Sequence, residues 1–175
     1  MNKIITAIVI VVILGGLGSW LVLRGRDAAL PTSSEEQRRA PEFTLNDYEG
    51  REVKLSDFRG KIVLVNSWAA WCPFCKEELK DFATVEKEFG ERVAIVAVDR
   101  AESSATAQKF SDELGVSGDL AFLLDPEDSF YKSIGGFSMP ETIFVDQEGF
   151  IRYHKRGPMK QEEIRRRIED LLNVS

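Results

Sequence analysis

The residues best suited to chemistry are Cys72 and Cys75, the chain's two cysteines, in the run Trp71-Cys72-Pro73-Phe74-Cys75. Just ahead of them Lys61 to Ser67 (KIVLVNS) is a nearly continuous apolar run, the pattern of a strand buried on both faces. Just after them, Phe74, Leu79, Phe82, Val85 and Phe89 recur among Lys and Glu at close to helical spacing up to Gly90, which predicts a helix over Pro73 to Phe89. The pair therefore falls where a strand turns into a helix. Unpaired backbone N–H groups and the helix dipole favour an anion at that point, and Pro73 suits the first helical position, where its missing N–H costs nothing. The thiolate is the attacking form of cysteine, and such a setting lowers a thiol pKa from about 8.5 to between roughly 3.5 and 7.5. Cys72 is then the nucleophile. Cys75, one turn further in, can attack the resulting mixed disulfide and release the substrate, so the pair exchanges two electrons.

Other uses of two cysteines fit less well. A structural zinc site needs four ligands, whereas the only histidine, His154, is distant and reads as an ordinary strand residue. A purely structural bridge over so short a loop would stabilise little. Two unpaired core thiols are seldom placed on a strand-to-helix turn. The sequence calls for no metal and no cofactor.

The elements that must position the pair alternate along the chain. Phe43–Leu45 and Val53–Leu55, split by Asn46-Asp47-Tyr48-Glu49-Gly50, predict a hairpin. Val93–Val98 is a second buried strand, Ser103–Leu114 a helix stopped by Gly115, Ala121–Leu124 a short strand and Glu127–Ile134 a helical turn or two. Thr142–Val145 and Phe150–His154 flank Asp146-Gln147-Glu148-Gly149 as a second hairpin, and Lys160–Leu172 is an amphipathic helix with Ile164, Ile168, Leu171 and Leu172 on one side. Strands and helices in this order imply a three-layer α/β domain.

A length of 175 residues suits one such domain plus an appendage. Residues 4–23 (IITAIVIVVILGGLGSWLVL) carry no charge, and as a helix they would reach roughly 30 Å, a bilayer core. The expected division is a membrane anchor over 1–25, a polar linker over 26–40 and a folded domain over 41–175. A cleaved signal peptide is the rival reading, but its apolar region is usually about 7 to 15 residues and no A-x-A site follows. Lys3 opposes Arg24 and Arg26 across the span, so counting positive charges does not favour an outward domain. The chemistry does, because disulfides persist outside the cytoplasm. The expected location is a single-pass cell-membrane protein with its catalytic domain on the extracytoplasmic side. Gly15-Gly16-Leu17-Gly18 could serve close helix packing but need not. A net charge of −6 argues against a nucleic-acid partner, which needs a basic face.

The stretch VLVNSWAAWCPFC, then Lys76-Glu77-Glu78-Leu79, then Ser138-Met139-Pro140-Glu141-Thr142-Ile143-Phe144-Val145-Asp146, resembles the TlpA/ResA branch of membrane-anchored thioredoxin-like reductases. Ala40-Pro41-Glu42-Phe43-Thr44-Leu45 and Gly50 resemble that branch's opening hairpin. The resemblance spans about residues 40 to 172. It implies a thioredoxin-like fold, a central mixed sheet flanked by helices with an N-terminal hairpin extension, and an added element before Pro140. It also implies a Cys72–Cys75 disulfide, a cis Met139–Pro140 peptide facing it, and substrate contacts at Trp71, Pro73, Phe74, Met139 and Pro140. Thioredoxin has a buried aspartate at the place matching Asn66, and an amide cannot take a proton there. In this branch a glutamate at the place matching Glu78 is associated with the active site, which makes Glu78 the candidate proton acceptor. A solvated helix carboxylate beside Lys76 and Lys80 is the plain alternative. The Pro73-Phe74 pair departs from the branch's commoner dipeptides and offers neither charge nor hydrogen bond. Trp71 packs over the site or is a plain core or surface aromatic.

The function implied is a protein-disulfide reductase for exported proteins such as apocytochrome c, fed by a membrane electron-donor thiol protein. A disulfide-inserting oxidase would use the same fold at a higher potential. A thiol peroxidase would need Thr or Ser at the position of Ala69. A tethered, non-enzymatic binding module would leave the cysteine pair without a purpose.

Overall fold

The computed structural model describes residues 38–174. The expected anchor and most of the expected linker lie outside them; among the described residues no helix is long and apolar enough to cross a membrane.

The strands are β1 (Thr44–Asp47), β2 (Glu52–Lys54), β3 (Ile62–Trp68), β4 (Val93–Arg100), β5 (Ala121–Asp125), β6 (Glu141–Val145) and β7 (Ile151–Arg156). They form one mixed sheet in the order β2-β1-β5-β4-β3-β6-β7, with β3, β4 and β5 mutually parallel and the remaining pairs antiparallel. Every residue of β3 is buried, as its unbroken apolar run requires. The helices are α1 (Cys75–Phe89), α2 (Ser104–Leu114), α3 (Ser129–Ser133) and α4 (Gln161–Val174).

Alternation along the strands divides the core. Ile62 and Leu64 of β3, Ile95 of β4 and Phe144 of β6 meet Leu79 and Phe82 of α1 and Ile164 and Ile168 of α4. Val63, Val65, Val96, Val98 and Ile143 point the other way, onto Phe43, Leu55, Phe130 and Ile134. Both faces of the sheet are thus covered, giving the expected three layers. Helix α2 begins where Ser103 accepts the Thr106 N–H, and it ends at Gly115 in the left-handed region (φ 72°), which glycine enters without a Cβ clash. Its Phe110 stacks on Trp68 at the end of β3, ring centroids 5.5 Å apart.

Helix α1 starts at Cys75, two residues later than the periodicity suggests. The Cys75 N–H bonds to the Cys72 carbonyl at 3.3 Å, so Pro73 sits in a turn ahead of the helix and not at its first position. Arg38 to Ala40, at the end of the polar stretch expected as linker, lie against the domain. Ile151 donates its N–H to Arg38 O at 2.8 Å, Ala40 donates to Gly149 O at 3.0 Å, and Ala40 is buried.

Candidate active site

Pairing between β3 and β6 creates the site. These strands are antiparallel with Ser67 opposite Glu141, so the segment leaving β3 toward the cysteines and the segment entering β6 through Pro140 emerge at the same end of the sheet. Cys72 and Cys75 are joined by a disulfide with their Cα atoms 5.5 Å apart, and both are buried. The Met139–Pro140 peptide is cis. Pro140 is buried, and Met139 packs against the core cluster that contains both cysteines. Trp71 and Phe74, on either side of Cys72, are 61% and 59% exposed, so Trp71 is a surface aromatic; Pro73 is exposed as well.

Glu78 lies one turn beyond Cys75 on α1 and is only 2% exposed, so the solvated alternative does not hold. Its Oε1 accepts the Met159 N–H at 2.8 Å, and its Oε2 accepts from Asn66 Nδ2 at 3.1 Å. The same Asn66 nitrogen donates to Thr142 Oγ1 at 2.9 Å, which ties β3, α1 and β6 together. Burial pushes the Glu78 carboxyl up to about 8, against the opposing pull of the Met159 and Asn66 hydrogen bonds. Asn66 holds this carboxyl in place by its hydrogen bond.

Several residues that fix the two loops escaped the sequence reading. Glu102 Oε2 accepts the Ala70 N–H at 2.6 Å, holding the segment that leads into Cys72, while the Glu102 N–H bonds to the buried Asp99 at 3.2 Å. Burial, and then Glu102, raise the Asp99 pKa. On the other side Glu141, fully buried, accepts the N–H groups of Phe137 and Ser138 on Oε2 at 2.8 and 2.9 Å. Its Oε1 lies 2.6 Å from His154 Nε2 and 3.3 Å from Arg156 Nε. An acidic residue directly after Pro140 was a visible signal for Glu141. Nothing local marks Glu102, whose partner is 32 positions away.

A disulfide at the strand-to-helix junction of this mixed sheet, a cis proline entering β6 at the same end and a buried carboxyl one turn further along α1 define a thiol-disulfide oxidoreductase of the thioredoxin-like class. Residues 37–154 match the model of the AhpC/TSA family, and the chain belongs to that family, as a thiol-disulfide oxidoreductase of the ResA/DsbE type. It is 31% identical over 135 residues to the thiol-disulfide oxidoreductase ResA of Geobacillus thermodenitrificans, covering 75% of each chain. It is 33% identical over 137 residues to the thiol:disulfide interchange protein DsbE of Allochromatium vinosum, covering 76% of this chain and 73% of that one. Among solved structures it is similar to the pneumococcal exposed lipoprotein thioredoxin of Streptococcus pneumoniae, with a TM-score of 0.67, 28% identity and coverage of 75% of this chain and 100% of that one. Its protein-disulfide oxidoreductase activity works on protein thiols.

Proposed function

We propose that this chain is an extracytoplasmic reductase of disulfides in exported proteins, apocytochrome c among them, with Cys72 as nucleophile, Cys75 as resolving thiol and Glu78 as proton acceptor. The observation that carries the mechanism is the buried Glu78 carboxyl three residues beyond Cys75. In the reduced protein the Cys72 thiolate attacks one sulfur of the substrate disulfide. That S–S bond breaks, a Cys72–substrate bond forms, and the second substrate sulfur leaves and takes up a proton. Glu78 then accepts the Cys75 proton. The Cys75 thiolate attacks the Cys72 sulfur, the Cys72–Cys75 bond forms, and the remaining substrate sulfur is released. Two electrons pass from the pair to the substrate, and an external donor dithiol restores the pair. A carboxyl pKa of about 8 stands close to that of an ordinary thiol, so the proton transfer is nearly balanced.

Trp71, Pro73, Phe74, Met139 and Pro140 line the approach and serve as substrate contacts. The names of the ResA and DsbE relatives support the exchange reaction, and the exposed pneumococcal lipoprotein supports an outward-facing domain. Residues 4–23 would supply the bilayer anchor, and the electron donor would be a membrane thiol protein. Ala69 stands where a thiol peroxidase would need a hydroxyl, which favours disulfide exchange over peroxide reduction.

The decisive test is trapping. Cys75→Ala in the full chain should accumulate mixed disulfides between Cys72 and exported proteins, and partners held only noncovalently would overturn the mechanism. The reduction potential of the pair, set by equilibration against thiol buffers, should fall well below the glutathione range. A value at the oxidising extreme would turn the direction to disulfide insertion. A reporter fused after Ser175 should be active only outside the cytoplasm; activity confined to the cytosol would refute the placement.

A further inference from the structure

The large apolar side chains left exposed among the described residues are Trp71, Phe74 and Phe137. The first two flank Cys72. Phe137 lies on the other loop, three residues before Pro140, and at 85% it is the most exposed of them. An exposed phenylalanine on a loose loop is unremarkable, since the ring can fold down and shed water contact. The loop that carries Phe137 is not loose. The Gly136 N–H bonds to Tyr131 O at 2.9 Å, and Gly136 sits so close over the Tyr131 ring that a Cβ there would run into it. Tyr131 donates its hydroxyl to Ser138 O at 3.0 Å. The Arg100 guanidinium lies 3.4 Å from the centre of the same ring and is itself paired with Asp128. Glu141 takes both the Phe137 and Ser138 N–H groups. Residues 136, 137 and 138 are each bonded, so the ring is carried on a held loop that enters β6 at the end of the sheet where the cysteine segment leaves β3.

The turns behind this support carry strain. Ala101 and Asp128, the non-glycine residues with positive φ among those described (56° and 58°), adjoin or form the Arg100–Asp128 pair that packs on Tyr131. Left-handed backbone at non-glycine residues persists where the surroundings over-determine it, and it clusters at functional sites. An aromatic on such a held backbone binds a partner with little further loss of main-chain freedom, which is the character of an interface anchor.

We propose that Phe137 is a specificity-determining residue for the exchange reaction: it receives a bulky apolar side chain of an extended substrate polypeptide, next to the cysteine that joins Cys72. This rests on the reading of Cys72 as the nucleophile. Trp71 and Phe74, the other exposed large apolar side chains among the described residues, lie on the segment that leaves β3 at the same end of the sheet, so the site selects apolar-flanked cysteines, as a chain exposes before it has folded, over cysteines set among polar residues.

The test uses the pre-reduced full chain and two synthetic peptides, each closed by one disulfide, differing only in Leu or Ser beside the cysteines. The second-order rate constants for oxidation of the protein should favour the Leu peptide by about tenfold, the effect expected of a single interface anchor. Phe137→Ser should bring that ratio close to one, and Phe137→Leu should keep most of it. A ratio near one in the parent protein, or a ratio that survives Phe137→Ser because both peptides slow alike, would overturn the inference while leaving the exchange mechanism intact. No oxidation by either peptide would instead sink the exchange mechanism, and this inference with it.

Discussion

In the proposed mechanism the buried Glu78 carboxyl couples redox chemistry to pH. Its folded pKa is raised to about 8 from an ordinary value of 4.5, chiefly by burial. A raised carboxyl pKa adds stability below about 4.5, and that contribution is lost as pH rises through about 8. The melting temperature of the oxidised protein should therefore fall across this window relative to Glu78→Gln. Comparing variant with parent cancels Glu86 and Asp99, whose pKa values are also raised. Two parallel melting profiles would show that Glu78 titrates normally. In exchange assays the same substitution should slow release of the mixed disulfide and abolish the limb of the pH–rate profile near 8; an unchanged profile would reject the proton-acceptor role. Asn66 acts through Glu78 and Thr142. Asn66→Ala leaves both without its donor and should destabilise the fold by about 1–3 kcal/mol in denaturant titration.

The elements around the disulfide are held by distant partners and by tight packing. Phe82 of α1 is fully buried between the sheet and α4, so Phe82→Ala should cost about 3–5 kcal/mol through the cavity it leaves. Gly136 makes the opposite case, since a Cβ there would come within 2.4–2.5 Å of Tyr131 ring atoms. A methyl group there cannot be housed unless the ring or the loop moves, so Gly136→Ala should destabilise by about 1–3 kcal/mol. Because the displaced loop carries Phe137 and Pro140, this variant should also lose exchange with peptide disulfides. A fully stable, fully active Gly136→Ala protein would show that the loop is free to shift.

At the scale of the whole molecule, the domain reaches back across its expected boundary. Arg38 also donates from its guanidinium to Ile134 O at 3.3 Å, in addition to the backbone pairing of Arg38 and Ala40 with the β6–β7 hairpin region. A fragment starting at residue 37 should exceed one starting at residue 43 in stability by about 1–3 kcal/mol, the worth of a few such hydrogen bonds. Equal stabilities would make this stretch a passive tether. The active site depends on the same closure of the sheet, because its two loops come from strands β3 and β6, far apart in the chain.

Short-range pattern was enough to find the strands, the helices and the cysteine pair. The apolar run before Cys72, the helical stripe after it and the glycines at 90 and 115 act within a few residues of themselves, so they are legible in order along the chain. The periodicity starts α1 two residues early, because the turn at Pro73 and Phe74 depends on how Cys75 bonds back to Cys72. Whether Glu78 met water or core was open in the sequence, since an acidic residue between lysines fits either environment. Burial under Met159, 81 positions away, decided it. The same holds for Glu141 gripping its loop and for the exposure of the Phe137 ring. Such environments are set by segments that meet only when the sheet closes, and no local spacing records them.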